Sequence, residues 1–273
     1  MLLAYPLLVA GQAPAAKDPR IAEALHRWAN EAGTFWQVAP GFVGRETVHQ
    51  KALKKGKGAK AQGFETRDIE SFYALATFRG APEALREFRW ILTVDGKKQQ
   101  EEEGARRAFE AQLVSGKDAV KEALRTEFEK ACLAGVATDF GQLILLFTKQ
   151  NLEKYSYEFS GESRLGADNA WQIAFTQLAG DQSLHLSEGR RNMSAKLQGE
   201  LWSRPGDFLP LRIVLNARRR HDKNQIRDEA MLDYMVVPPA LLPASLVYRR
   251  YVNEEMRLES VYRYSDWQAV GAK

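Results

Sequence analysis

The chain has 273 residues, of which 45% are hydrophobic and 27% are charged, and its formal net charge is +4. These values are typical of a folded globular protein, exclude a disordered chain, and allow a buried core without disulfides or metal ions. Five of the lysines lie in one short run between Lys51 and Lys60, so the sequence has no broad basic face and does not predict nucleic-acid binding.

Residues 1–15 are predicted to be a signal peptide. Leu2 to Ala10 is apolar apart from one proline and is too short to cross a bilayer, and Ala13-Pro14-Ala15 has the small-x-small pattern of a cleavage site. No lysine or arginine precedes the apolar stretch, so a frayed terminus or a buried first strand is the alternative. We expect a periplasmic or secreted protein with a single domain over residues 16–273 and no integral membrane span.

The stretch "DPRIAEALHRWANEA" predicts the first helix. It has an aspartate that can cap the helix, a proline at the first helical position, and apolar residues at i, i+4 and i+7. We expect this helix to end at Gly33. The stretch "FVGRETVHQ" then predicts a strand, and "KALKKGKGAKAQG" predicts a loop because no large apolar residue follows Leu53.

From Phe64 to Val94 the hydrophobic period is two, which predicts antiparallel strands with one buried face. A turn is expected at the Asp95-Gly96 pair. In the second strand the apolar row is Phe88, Trp90, Leu92 and Val94, and it alternates with Arg89, Ile91 and Thr93.

Residues 98–147 are predicted to form a helical insertion. The stretch up to Cys132 contains no proline, and its apolar residues recur at steps of four, which is typical of an amphipathic helix. We expect the helical structure to continue through "DFGQLILLF". The apolar stripe fits packing on the core, and a helix that lies on a membrane surface is the alternative.

Beyond residue 152 the pattern is almost entirely strand and turn. "KYSYEFSGES" has an aromatic residue at every second position, and "NAWQIAF", "LPLRIVLNA" and "MRLESVYRYSDW" show the same alternation. The turn signals "RLGADN" and "SRPGDFLP" join consecutive strands as in hairpins. The predicted fold is α+β, with a highly curved antiparallel sheet, an unclosed barrel, covered by helices.

Several stretches resemble an uncharacterised family of exported bacterial proteins whose sheet is similar to that of the periplasmic lipoprotein-carrier superfamily. They are "PGFVGRETVHQK", "ILTVDGKKQQEEEGARRA", "DFGQLILLF", "YSYEFSGESRLGADNAWQIAF", "GELWSRPGDFLPLRIVL" and "LLPASLVYRRYVNEEMRLESVYRYSDW". The resemblance implies an unclosed barrel that is lined by apolar side chains, plugged by helices, and holds acyl chains or other amphiphiles. The carriers have no fixed lining motif, so the resemblance assigns no residue a role.

No motif specifies a reaction, a cofactor or a metal. The four histidines lie far apart, and no nucleophile elbow, phosphate-binding loop or dinucleotide fingerprint is present. Cys132 stands alone among apolar neighbours, which indicates a buried small hydrophobe. The run Arg218-Arg219-Arg220 carries the charge to meet phosphates of lipid headgroups or nucleic acid. Adjacent residues of a strand point to opposite faces, however, which favours a solvated strand end.

The alternating aromatic rows give the candidate ligand-lining residues. Core packing is the alternative role for the same side chains. The candidates are Trp90, Leu92, Tyr155, Tyr157, Phe159, Trp171, Phe175, Tyr262 and Tyr264.

The sequence therefore predicts a non-enzymatic protein that binds a lipid or a lipidated protein in the concavity of the sheet and makes transient contact with the envelope or a membrane surface. The alternative is an envelope protein–protein interaction module that presents strand edges or the lysine-rich loop. A hydrolase would need a titratable cluster assembled from distant positions of the chain.

Overall fold

The computed structural model describes residues 18–54, 63–114, 117–133, 139–178, 186–188, 191–193 and 196–271. The predicted signal peptide and residues 55–62 of the lysine-rich loop lie outside these ranges. The described helices are α1 (Pro19–Val38), α2 (Ala105–Val114) and α3 (Asp118–Ala131), with short 3₁₀ helices at Ala39–Gly41, Leu143–Phe147 and Leu152–Lys154. The described strands are β1 (Phe42–Leu53), β2 (Phe64–Phe78), β3 (Ala81–Val94), β4 (Lys97–Lys98), β5 (Tyr155–Leu165), β6 (Asp168–Gln177), β7 (Leu186–Glu188), β8 (Arg191–Met193), β9 (Lys196–Ser203), β10 (Pro210–His221), β11 (Asn224–Val237), β12 (Ala240–Val252) and β13 (Glu255–Ala269).

Eleven of the described strands form one antiparallel sheet, in the order β4-β3-β2-β1-β13-β12-β11-β10-β9-β6-β5. Strands β7 and β8 pair separately as a small hairpin. The first strand, β1, pairs with the last, β13, and the long connection between β4 and β5 contains α2 and α3 and links the two ends of the sheet. The sheet ends at β4 and β5 and does not close into a barrel. The predicted fold class, a curved antiparallel sheet with helices, is confirmed.

Helix α1 begins where the sequence predicts and ends later. Asp18 caps it, because its carboxylate accepts a hydrogen bond of 2.9 Å from the backbone N–H of Arg20. The prediction that the helix ends at Gly33 was wrong, since the helix continues to Val38. A glycine inside a helix costs only about 1 kcal/mol relative to alanine. Phe35, which lies in the following turn, is fully buried and offsets that cost by packing.

One side of α1 packs on the sheet face that we call the inner face. Trp28 is fully buried there, and its indole N–H donates a hydrogen bond of 2.6 Å to Ser203 Oγ at the end of β9. The Trp28 ring also meets Phe147 edge-on, with 5.8 Å between ring centroids. The apolar positions of α1 that are buried on this side are Ile21, Ala24, Leu25, Trp28, Ala32 and Phe35.

The opposite sheet face, the outer face, has a smaller apolar cluster of its own. Phe88 of β3 is fully buried in this cluster against Phe109 of α2 and Leu124 of α3. Phe128, one turn beyond Leu124, belongs instead to the core on the inner face. Helix α3 therefore passes around the edge of β3, and β3 is covered on both faces.

The helical insertion differs from the prediction in its last part. Helices α2 and α3 account for most of residues 105–131, as expected. The stretch "DFGQLILLF" does not continue as an α-helix, because only Leu143–Phe147 is helical and it is a 3₁₀ helix. Its side chains Leu143, Ile144 and Phe147 are buried, so this segment fills the concavity of the sheet together with α1.

Candidate functional site

Four of the nine predicted ligand-lining residues are packed in the core of the inner face. Tyr155 and Phe175 have ring centroids 5.6 Å apart, and each also contacts Phe147. Tyr262 and Tyr264 stack with centroids 6.5 Å apart. All four side chains are buried. These four rings therefore pack against other protein side chains, in positions where the sequence alone is also compatible with contact to a ligand.

Three further candidates lie at the β5 end of the sheet, where their side chains are only half-buried. The ring of Phe159 meets that of Trp171 edge-on at 6.2 Å, and the Arg20 guanidinium lies 4.0 Å from the Phe159 centroid. Tyr157 follows the buried Tyr155 along the same face. The cation–π contact between Arg20 and Phe159 joins the start of α1 to the sheet.

The remaining two candidates lie on β3. Trp90 pairs with Phe72 and is on the outer face, with its ring 6.3 Å from that of Phe109. Leu92 is buried at a bulge, where the register with β2 shifts. The structure therefore does not bring all nine residues to one surface. A ligand-lining role for them stays a prediction.

A groove of about 840 Å³ lies beside α1. We call it the α1 groove. One wall is α1, a second is the start of β3, and the third is the segment 142–151. Its apolar lining consists of Ala29, Gly33, Trp36, Ala84, Leu85, Leu143, Leu145 and Leu146.

Gly33 leaves open space in the helix wall of the α1 groove. The groove-lining residues of α1 are Ala29, Gly33, Trp36 and Gln37, spaced i, i+4, i+7 and i+8 on one side of the helix. A Cβ atom at Gly33 would have no neighbour within 4 Å. The Trp36 side chain is partly exposed. The absence of a side chain at Gly33 therefore leaves space in the groove along α1.

A network of carboxylates and backbone amides holds the wall where β3 meets residues 139–142. The Glu87 carboxylate accepts hydrogen bonds from the backbone N–H groups of Asp139 (2.9 Å) and Gly141 (2.6 Å). In return, the Asp139 carboxylate accepts one from the Glu87 N–H (3.0 Å) and one from Arg86 (3.0 Å). Burial and the nearby Glu87 carboxylate raise the pKa of Asp139.

Beneath this wall the inner face holds a buried ion cluster that sequence reasoning missed. Arg89, 2% exposed, donates to both oxygens of Glu46 at 2.8 and 2.9 Å and to Glu87 at 2.8 Å. Its guanidinium lies 4.4 Å from the Phe128 ring centroid. Burial opposes the charged form of Arg89, but the two carboxylates more than offset this and keep its pKa above the ordinary value.

Cys132 lies close to this cluster, and its side chain is half-buried against the core of the inner face, not fully buried as the sequence predicts. Burial raises its pKa to about 12, which keeps it protonated at neutral pH. In the described part of the chain, no group of three or more His, Cys, Asp or Glu side chains has the geometry to hold a metal ion. None of the helices described here combines the length and the apolar character needed to cross a bilayer.

No protein-family model matches the chain, and no curated protein matches it. Among solved structures, the chain is similar to a DUF1329 family protein from Desulfovibrio piger, with a TM-score of 0.37, 10% identity, and 94% of this chain and 95% of that chain covered. It is also similar to a domain assigned as an outer membrane lipoprotein-sorting protein from Vibrio parahaemolyticus, with a TM-score of 0.37, 10% identity, and coverage of 92% and 95%. TM-scores and identities this low assign the chain neither a ligand nor a partner.

Proposed function

We propose that this protein is an exported, non-enzymatic binding protein that holds the acyl chain of a lipid or of a lipidated protein in the α1 groove. The observation that carries the proposal is open apolar space beside α1, with Trp36, Leu145 and Leu146 only half-buried around it. The volume of about 840 Å³ is in the range of small-molecule sites.

The driving force would be the removal of apolar surface from water. Each Å² of acyl surface that is covered contributes about 25 cal/mol. This force has no directional requirement, so it fits a groove whose lining includes four leucines, two alanines and a tryptophan beside polar side chains. The exposed side chains Gln37, Glu83 and Lys149 lie at the rim, where a polar headgroup would remain in water.

The test uses two substitutions at Gly33. Gly33→Trp would place an indole in the groove, whereas Gly33→Ala makes the same backbone change and leaves most of the groove open. We expect Gly33→Trp to weaken binding of a fluorescent fatty acid by about tenfold or more, since about 1.4 kcal/mol corresponds to tenfold and equals the burial of roughly 60 Å² of apolar surface. Gly33→Ala should bind like the unmodified protein.

Two results would contradict this proposal. One is a folded Gly33→Trp variant that binds the fatty acid as tightly as Gly33→Ala does. The other is an unmodified protein that neither binds the probe nor yields an amphiphile on extraction and mass spectrometry. Thermal unfolding of both variants shows whether a loss of binding reflects a blocked groove or a damaged fold.

A second candidate function, an envelope protein–protein interaction module, is favoured by the edge strand β5. All eleven residues of this strand, Tyr155–Leu165, belong to a strand that pairs on one side only, with β6. Such an edge can accept a strand from another protein. A crosslinking pull-down distinguishes the two predicted contact regions, because deletion of Lys54 to Lys60 removes the lysine-rich loop and leaves the β5 edge intact.

A further inference from the structure

Three cations lie directly opposite one another on the outer face of the sheet. Arg218 of β10 pairs in register with Lys196 of β9 on one side and with Arg227 of β11 on the other. Their neighbours Leu197, Ala217 and Ile226 are buried on the inner face, which places the three cations on the outer face.

Only one of these three cations is neutralised within the described residues. Arg227 forms ion pairs with Glu229 and Glu254 and lies 3.9 Å from the Tyr251 ring. Within the ranges that the structure describes, neither Lys196 nor Arg218 forms an ion pair, and both are exposed. Like charges placed directly opposite each other destabilise a strand pair.

The run Arg218-Arg219-Arg220 is divided between the two faces, as strand alternation predicts. Arg219 turns to the inner face, where it pairs with the buried Asp228. Arg220 is exposed on the outer face, two residues from Arg218, and it has no ion pair among the described residues. Lys196, on the neighbouring strand β9, is a third exposed cation of this face that has no ion pair among the described residues. We call Lys196, Arg218 and Arg220 the outer basic row.

We propose that the outer basic row binds the phosphate groups of an anionic lipid bilayer surface. The fold leaves the repulsion between these cations uncompensated. An anion bound across the row reduces this repulsion, and a phosphate layer supplies several anions at once. The three side chains share the outer face of the sheet, so one headgroup layer can contact all of them. A nucleic acid would be held by phosphate contacts along an extended basic track, and the three cations here are a local group.

The test measures binding to vesicles of phosphatidylglycerol and phosphatidylcholine in equal parts, by co-sedimentation at low ionic strength. Each cation contributes about fivefold in affinity near an anionic surface, so Lys196→Gln/Arg218→Gln/Arg220→Gln should lose binding by a factor on the order of a hundred. The charge-matched control is Arg107→Gln/Lys130→Gln/Arg263→Gln, which removes three exposed cations elsewhere. It should lose much less affinity.

The melting temperature provides a second readout, because a variant that loses vesicle binding and becomes more stable has not lost binding through a damaged fold. Arg218→Glu places a carboxylate between Lys196 and Arg227, so it should raise the melting temperature, while the change of two charges weakens vesicle binding by roughly twenty-five-fold. The proposal is overturned if pure phosphatidylcholine vesicles bind equally well, or if the control loses as much affinity as the row variant. It is also overturned if a single-stranded oligonucleotide binds the row and the anionic vesicles do not. The groove variants at Gly33 leave the row intact, so failure of either proposal does not imply failure of the other.

Discussion

Replacing Arg89 with methionine is expected to lower the free energy of unfolding by about 3 to 5 kcal/mol. Methionine is flexible and fills much of the same volume, but it leaves Glu46 and Glu87 as buried carboxylates without their cation. The cost arises from these uncompensated charges and exceeds the value of the ion pairs themselves. Urea unfolding followed by tryptophan fluorescence measures the change.

A double-mutant comparison separates this charge effect from a loss of packing. Glu46→Gln keeps the shape of the side chain and removes its charge. In that background, the loss of unfolding free energy caused by Arg89→Met should be smaller by at least about 1 kcal/mol. If Arg89→Met costs the same in both backgrounds, the pair Arg89 and Glu46 does not act through charge. A loss below about 1 kcal/mol for Arg89→Met alone would show that the buried cluster contributes little to stability.

Gly199→Ala is expected to destabilise the fold by about 4 kcal/mol or more, or to prevent folding. A Cβ atom at Gly199 would lie 1.9 Å from the backbone oxygen of Val214 on the neighbouring strand and 3.0 Å from the Phe175 ring. A backbone atom of a central strand cannot move away as a flexible side chain can. The strands β9 and β10 would have to separate, and their hydrogen bonds would be lost.

The matched control for Gly199→Ala is Gly33→Ala, the same chemical change in open space. At Gly33 the new methyl group meets no atom within 4 Å, and alanine is the better helix former by about 1 kcal/mol. The two variants should therefore change the unfolding free energy in opposite directions. A Gly199→Ala protein that unfolds at the urea concentration of the unmodified protein would mean that β9 and β10 are not as closely paired as described.

The fold was largely readable from the sequence because local patterns and long-range packing agree over most of the chain. The alternating row at Tyr155, Tyr157 and Phe159 lies on a strand as predicted. The cap at Asp18 fixes the start of α1. The end of α1 was not predictable in the same way, since the burial of Phe35 depends on the sheet that it contacts and not on its neighbours in the chain.

The site was much less predictable than the fold. On β3, Phe88 and Trp90 alternate with Glu87 and Arg89, and the pattern indicates that the aromatic side faces the core. Both sides are buried instead, because α2 and α3 cover the outer face and the ions find partners on the inner face. A single sequence gives no signal for this, since the partner Glu46 lies on another strand.

The α1 groove was missed for a related reason. Its walls come from α1, the start of β3 and residues 142–151, which are brought together only by the fold. Its distinguishing feature is a missing side chain at Gly33, and a glycine in a helical pattern indicates a helix end before it indicates a cavity.

The two ends of the sheet are unequal. At one end, β4 has only two residues and α3 passes around the edge of β3. At the other end, β5 pairs on one side only. If a second copy of the chain pairs its β5 with this β5, the sheets of the two copies join into one. Both β5 edges are then paired, and no further copy can add at this position. Self-association by this route stops at a two-fold symmetric pair and cannot continue into an open-ended filament.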